Sequence, residues 1–358
     1  MDMQTATRAY ETWLGEQTTI VKADLKRKHK QMALALFPFL RATFYRWVER
    51  WPEVCAELTG APQVLAVGDL HIENFGTWRD REGRLVWGVN DFDEAGLLPY
   101  TNDLVRLATS AHLAIAANHL KLAPGDACAA ILEGYTSGLA SGGRPFVLAE
   151  RRERLRAMVM SESRNPVTFW QKLAALPTTN APVPKSALAA IDALWPEEGI
   201  SYRLVERVAG LGSLGRQRFV GIGEWRGGKV AREAKASVPS ALVWAGVNKD
   251  DGPNARQALA QAVRAPDPFF RTQAGWLARR LAPDCGRVEL TALPKRRDEY
   301  RLLRAMGRET ANVHLGTRAA IKAIIEDLTH RPARWLHTSA ERMAQATTDD
   351  WHQWRQSV

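Results

Sequence analysis

Two acid-bearing loops and one glycine-rich loop, far apart in the chain, most constrain what this sequence can fold into. The segment Gly68-Asp-Leu-His-Ile-Glu-Asn-Phe-Gly76 follows the short apolar run 64–67, and Asn90-Asp-Phe-Asp-Glu94 follows the run 84–89. An apolar strand that runs straight into aspartate buries a carboxylate at a strand end, which is costly unless the group is paired or used. The third loop, Gly210-Leu-Gly-Ser-Leu-Gly215, lies between two strand-like runs. Using all three loops together requires distant stretches to meet on one cleft.

The intervening sequence reads as follows. Helical spacing of Leu25, Met32, Leu36, Leu40, Phe44 and Trp47 predicts helix over 22–50, with a break at Pro38. A hairpin is expected from 74–78 through the turn at 79–83 to 84–89. Helices are predicted over 101–118, 124–141 and 150–161, and a Pro- and Thr-rich loop over 174–185. The texture changes near residue 200. Strands are expected at 202–208, 219–222, 229–236 and 288–293, and helices at 254–263, 269–281, 299–315 and 318–328.

Composition narrows the classes. Hydrophobic residues make up 46% and charged residues 25%, as in an ordinary soluble globular protein. Cys55, Cys128 and Cys285 are odd in number, widely spaced and match no CxxC pattern, so neither a disulfide framework nor a zinc site is expected, and a reducing cytoplasm fits best. The start carries acids and lacks an apolar core, unlike a signal peptide. No apolar run reaches the roughly 18 residues of a membrane span. The net charge of +10 attracts nucleotides and anionic surfaces. The densest basic clusters, 151–156 and 295–297, lack interleaved aromatics, which argues against dedicated nucleic-acid binding.

The spacing of the acidic loops has a chemical reading. In kinase-type phosphotransferases a catalytic-loop Asp receives the proton of the acceptor hydroxyl. An Asn shortly after it holds a metal, and a second Asp past the next strand holds Mg²⁺. Asp69, Asn74 and Asp91 follow that pattern. The glycines 210, 212 and 215 let backbone N–H groups approach phosphate oxygens. A dinucleotide-binding reading needs a helix after the third glycine, whereas 216–222 reads as strand, so a kinase-type flap or a plain hairpin remains. The strand after the flap carries Arg232-Glu233-Ala234-Lys235, where a phosphate-binding cation belongs. The order is permuted: catalytic loop and metal Asp come first, flap and cation later. Chain termini often lie close together, so permutation can preserve a fold.

These motifs resemble the bacterial "domain of unknown function 2252" proteins, which are similar to aminoglycoside and choline phosphotransferases and to protein kinases. GDLHIENFG at 68–76, NDFDE at 90–94 and GLGSLG at 210–215 carry the resemblance, with looser matches at 232–237 and 309–316. It implies an α+β, bilobal, protein-kinase-like fold in circularly permuted order. Residues 1–200 would form a helical catalytic lobe, 201–298 a small antiparallel-sheet nucleotide lobe, and 299–358 helices packing back on the first. It implies ATP and Mg²⁺ as cofactors and an unidentified hydroxyl as acceptor. Asp69 would be the catalytic base, and Asn74 and Asp91 the metal ligands. Gly210, Gly212, Ser213 and Gly215 would cover the phosphates. The family's lysine falls on Arg232, and Lys235 is favoured over it as the phosphate ligand, because ammonium and guanidinium are not equivalent. No Glu lies between Glu233 and Glu289 to pair with that lysine, and Gln257 is the stand-in.

Other positions carry two readings each. Asp93 and Glu94 bind a second metal or cap a helix. His71 is a metal ligand or, more in keeping with a loop histidine, a prop for the catalytic turn. Glu73 is expected to be solvated, Asp103 and Arg106 to pair, His314 to pack in the core, and Trp335, Trp351 and Trp354 to serve packing. The missing Glu keeps open a nucleotide-binding scaffold without turnover. A metallophosphoesterase is a remote alternative, since no Asn-His-acid run follows the Gly-Asp-x-His opening.

Overall fold

The computed structural model describes residues 1–149, 152–160, 165–179, 182–249, 255–294 and 298–357. The basic cluster 295–297 and Arg151 lie outside these described residues.

Four helices come first: α1 (Met3–Gln17), α2 (Lys22–Leu34), α3 (Leu36–Ala42) and α4 (Phe44–Val54). The Asp2 carboxylate caps α1 at the Thr5 N–H, 2.8 Å away. The helix expected over 22–50 with a break at Pro38 breaks instead at Ala35 and Thr43, which leave helical backbone. Pro38 sits in the first turn of α3, where its missing N–H has no partner to lose. Strands β1 (Gln63–Ala66), β2 (Phe75–Arg79), β3 (Leu85–Val89) and β4 (Gly96–Pro99) follow. Next come α5 (Tyr100–Ala116), α6 (Pro124–Ala140), β5 (Phe146–Val147), α7 (Glu153–Val159), α8 (Pro166–Ala174) and α9 (Lys185–Asp192). The second half holds β6 (Tyr202–Glu206), β7 (Arg218–Trp225), β8 (Gly228–Ala236), α10 (Ala241–Trp244), α11 (Ala255–Gln261), β9 (Arg271–Gln273), β10 (Trp276–Leu281) and β11 (Gly286–Arg287). It ends in α12 (Glu299–His314), α13 (Ile321–His330) and α14 (Trp335–Arg355).

The architecture is α+β with antiparallel sheets. Strands β6-β7-β8-β10-β9 form a five-stranded sheet, β11-β2-β3-β5 a four-stranded one, and β1 pairs with β4. The main core lies among the helices and the two smaller sheets. The five-stranded sheet has an apolar cluster on each face. Ala187, Ala190, Ile191 and Leu194 of α9 pack on Phe219, Ala234, Ala236, Trp276 and Ala278. Leu173 of α8 packs with Val205, Val220, Ala231 and Leu281 on the other face. Helices α8 and α9 therefore belong with this sheet, and the boundary expected near residue 200 falls inside the unit.

Helices α6 and α12 touch backbone to backbone. A Cβ on Gly307 would lie 2.0 Å from the Ile131 carbonyl oxygen, and one on Gly134 would lie 1.9 Å from the Arg304 carbonyl oxygen. This contact sets the depth at which α12 carries Glu309 and His314 behind the acidic loops.

Two further expectations are corrected. Residues 269–281, read as helix, form the hairpin β9–β10. Its turn, Ala274-Gly275, has positive φ at both residues (46° and 81°), the geometry of a tight two-residue hairpin turn. Pairing with β8 then outweighs the apolar spacing that resembled a helix. The strand expected at 288–293 is instead β11, just upstream, followed by a single 3₁₀ turn at Leu290–Ala292. Trp335 and Trp354 are buried, as a packing role requires. Among the described residues, no helix is long and apolar enough to cross a membrane.

Candidate functional site

The turn at Gly68 joins the two acidic loops. Gly68 has φ of 82°, and a Cβ there would lie 2.2 Å from the Glu94 carbonyl oxygen, so only glycine lets the loops approach this closely. The loop is held from below by Asp103, which accepts the Val67 and Gly68 N–H groups at 2.7 and 2.9 Å. His314 Nε2 lies 3.1 Å from Asp103, and the Tyr135 hydroxyl lies 2.8 Å from His314 Nδ1. His314 is thus buried, as expected, and forms part of a polar chain that anchors the loop.

Asp103 and Arg106 do not form the expected pair. Arg106 donates through Nε to Asp69 Oδ1 at 3.0 Å and through Nη2 to the Leu40 carbonyl at 2.7 Å. Its guanidinium, 1% exposed, lies 4.7 Å from the Trp47 ring centroid. The correction has a simple cause. Asp103 satisfies two backbone donors that burial would otherwise orphan, and Arg106 serves the other carboxylate nearby. Burial lifts the Asp69 carboxyl above the ordinary aspartate range despite Arg106 beside it.

Asn74 links the loops a second time. Its amide donates to the Asp69 carbonyl, and its Oδ1 accepts the Asp91 N–H, both at 2.9 Å. The Asp91 side chain is 56% exposed. Asp93 lies 2.6 Å from Lys235 Nζ and 3.1 Å from Arg216 Nη1. Burial opposes its ionisation, yet the charges of Lys235 and Arg216 hold its carboxyl below the usual aspartate range. Asp93 is therefore the acidic partner that Lys235 lacks in its own neighbourhood of the sequence; Gln257 does not line the cleft. Glu94 accepts the Ser240 hydroxyl and the Ala241 N–H at 2.8 and 2.7 Å, so it caps α10. Glu73, expected to be solvated, lies 2.6 Å from Arg41 Nη1 and accepts the Leu290 N–H at 3.0 Å.

Strand parity on β8 separates the two candidate cations. Glu233 and Lys235 share the face toward the acidic loops. Arg232 points the other way: its Nε donates to the Leu194 carbonyl at 2.7 Å, and its guanidinium lies 4.9 Å from the Phe269 ring centroid. Glu233, 0% exposed, gathers Arg207, Arg218 and Arg279 at 2.7, 2.8 and 2.8 Å. Arg218 also donates to Ser213 Oγ at 2.8 Å, tying the glycine loop to this cluster. Lys28 of α2 donates to the Gly212 carbonyl at 3.4 Å, and burial brings its ammonium down to about 8.

These parts surround one cavity of about 540 Å³, lined by Asp69, Asn74, Asp91 and Asp93 on one side and by Gly210, Gly212, Ser213 and Lys235 on the other. That volume suits a small ligand. Arg232 and Gly215 are not part of the lining. Arg41, Arg216, Arg218, Arg279, Arg280 and Arg287 add positive charge around it. The oxygen donors of Asn74 and Asp91 suit a hard cation. Among the described residues the acidic side chains of the cleft do not close into a ready-made cage, as Mg²⁺ allows when it keeps waters and shares phosphate oxygens. His71 Nδ1 is buried without a hydrogen-bond partner, and Nε2 lies 4.0 Å from Asp69. Burial, then Arg41, Arg106 and Arg287, hold its imidazole well below the ordinary histidine range, so it stands neutral beside Asp69.

Glu309 lies directly behind β3. It accepts the Val89 N–H at 3.3 Å and the Asn312 amide at 2.7 Å, and burial raises its carboxyl to about 7. The folded chain holds this proton more tightly than the unfolded one. This component of stability is full below the ordinary value of 4.5 and is lost as pH rises toward about 7. Glu309→Gln is therefore expected to flatten the fall in denaturant midpoint across that window. An unchanged profile would remove Glu309 as its source.

The cationic cluster was not foreseen, although the alternation of Arg216 and Arg218 after the glycine loop signals it. A family model described as "Uncharacterized protein conserved in bacteria (DUF2252)" matches residues 20–173, which supports the resemblance to that bacterial family over this stretch. The stretch holds Asp69, Asn74, Asp91 and Asp93 and ends before the glycine loop. Comparison with curated proteins and with solved structures finds no match.

Proposed function

We propose that this chain is an ATP- and Mg²⁺-dependent phosphotransferase of kinase-like, circularly permuted build, acting on a small-molecule or protein hydroxyl. One observation carries the reading. Asp69, Asn74 and Asp91 line the same cavity as Gly210, Gly212, Ser213 and Lys235, although the two groups lie in opposite halves of the chain. Asp69, oriented by Arg106 and with its carboxyl raised by burial above the ordinary aspartate range, is placed to accept a hydroxyl proton. Asn74 and Asp91 would hold Mg²⁺, which when bound neutralises charge on phosphate oxygens. Lys235 supplies a compact positive charge where phosphate would lie, and the arginines around Glu233 keep the cleft wall positive.

A second reading, a nucleotide-binding scaffold without turnover, is favoured by the ion pairs that already engage Asp69 and Lys235. Thermal shift with ATP and Mg²⁺, run beside an ATP-consumption assay over a panel of hydroxyl acceptors, tests both. A shift that needs both ligands, with turnover, is the expected result. A shift without turnover favours the scaffold, and no shift with ATP and Mg²⁺ overturns both.

A further inference from the structure

We propose that His112, Cys128 and His337 form a metal site for a zinc-class divalent ion, separate from the cleft. The three residues come from α5, α6 and α14, and none lines the cavity described above. Their ligand atoms lie within 4.8 Å of one another, and His112 Nε2 is 3.3 Å from Cys128 Sγ. In a tetrahedral site with metal–sulfur and metal–nitrogen bonds of about 2.3 and 2.0 Å, neighbouring ligand atoms are about 3.3–3.5 Å apart. One pair already has that spacing, and small side-chain rotations would bring in the third.

The surroundings of the imidazoles favour a ligand role over simple packing. His337 Nδ1 is buried without a hydrogen-bond partner, while Nε2 lies 3.4 Å from the Glu341 carboxylate one turn along α14. A carboxylate on one ring nitrogen orients a histidine whose other nitrogen binds metal. A packed cysteine–histidine contact would account for His112 and Cys128 but leaves His337 Nδ1 orphaned. Two imidazoles and a thiol select zinc-like ions over Mg²⁺ or Ca²⁺. Binding would release the Cys128 thiol proton to solvent, form a metal–thiolate bond, and leave a fourth position to water. The ion would tie α14 to α5, the helix that carries Asp103 and Arg106 to the catalytic loop.

Cobalt substitution of the full chain, in excess Mg²⁺ to occupy oxygen sites, tests the assignment. One equivalent of Co²⁺ is expected to produce a thiolate-to-cobalt charge-transfer band that Zn²⁺ displaces. Cys128→Ser should lose the band, Cys285→Ser should keep it, and His337→Ala should weaken binding at least about tenfold. Absence of the band in the parent protein, or its survival in Cys128→Ser, overturns the proposal. If Cys128→Ser does not fold, the parent band together with His337→Ala at the rim decides: unchanged affinity in that variant refutes the site.

Discussion

Asp91→Ala is expected to lower nucleotide turnover about 100- to 1,000-fold, the scale on which one preorganised charge-stabilising group acts, while leaving the folded structure intact. Both halves of the expectation come from its surroundings. The Asp91 side chain is 56% exposed on the cleft, 3.9 Å from Lys235. Its carboxylate otherwise accepts the Asp93 N–H at 3.2 Å, a contact of two neighbouring loop residues. Truncating so exposed a group removes little packing, and such substitutions cost within about 0.5 kcal/mol. The same openness makes Asp91 the carboxylate best placed to meet an incoming cation. The Mg²⁺-dependent part of any nucleotide-induced thermal shift should disappear with turnover. A variant with full activity would remove Asp91 from the site.

Glu233→Gln should have the largest effect on stability, a loss of about 3–5 kcal/mol, the range for breaking one partner out of a buried ion pair. Glu233 is 0% exposed and accepts from Arg207, Arg218 and Arg279. Gln keeps the volume and one acceptor oxygen but removes the charge that three guanidinium groups share. Arg218 has 6% of its side chain exposed and cannot turn to water, whereas Arg207 and Arg279, near 30%, regain part of their hydration. Burial opposes ionisation of Glu233, but the three arginines hold its carboxyl well below the ordinary value of 4.5. Its contribution is therefore present above 4.5 and fades as pH falls through the lower folded value. Urea titration near neutral pH gives the measurement. A loss of under about 1 kcal/mol, the worth of a surface pair, would mean that water reaches the cluster.

Much of the cleft is legible in the sequence. An apolar run ending in aspartate marks a strand end with a carboxylate, and β1 and β3 lie where those runs occur. Alternation on β8 decides that Glu233 and Lys235 share a face and that Arg232 cannot join them. Which face meets the acidic loops depends on α9 covering the other, and that was not readable. The missing acidic partner of Lys235 shows the same limit. Its own stretch of the chain offers Gln257, while the partner, Asp93, comes from the first half of the chain. Asp103 and Arg106, three apart on α5, resembled a helical ion pair. Competition from backbone donors and from Asp69 gave each a different partner.

The amino-acid sequence by itself determined what acts over a few residues: the carboxylates at two strand ends, the glycine turn, and the parity of cations along a strand. These follow from backbone sterics and side-chain alternation, which need no distant partner. Only the tertiary structure decided which cation faces which carboxylate and that segments from opposite halves of the chain share one cavity. Coulombic and hydrogen-bond energies depend on separations of a few ångströms between groups far apart in the chain, and packing of α9, α12 and the sheets sets those separations.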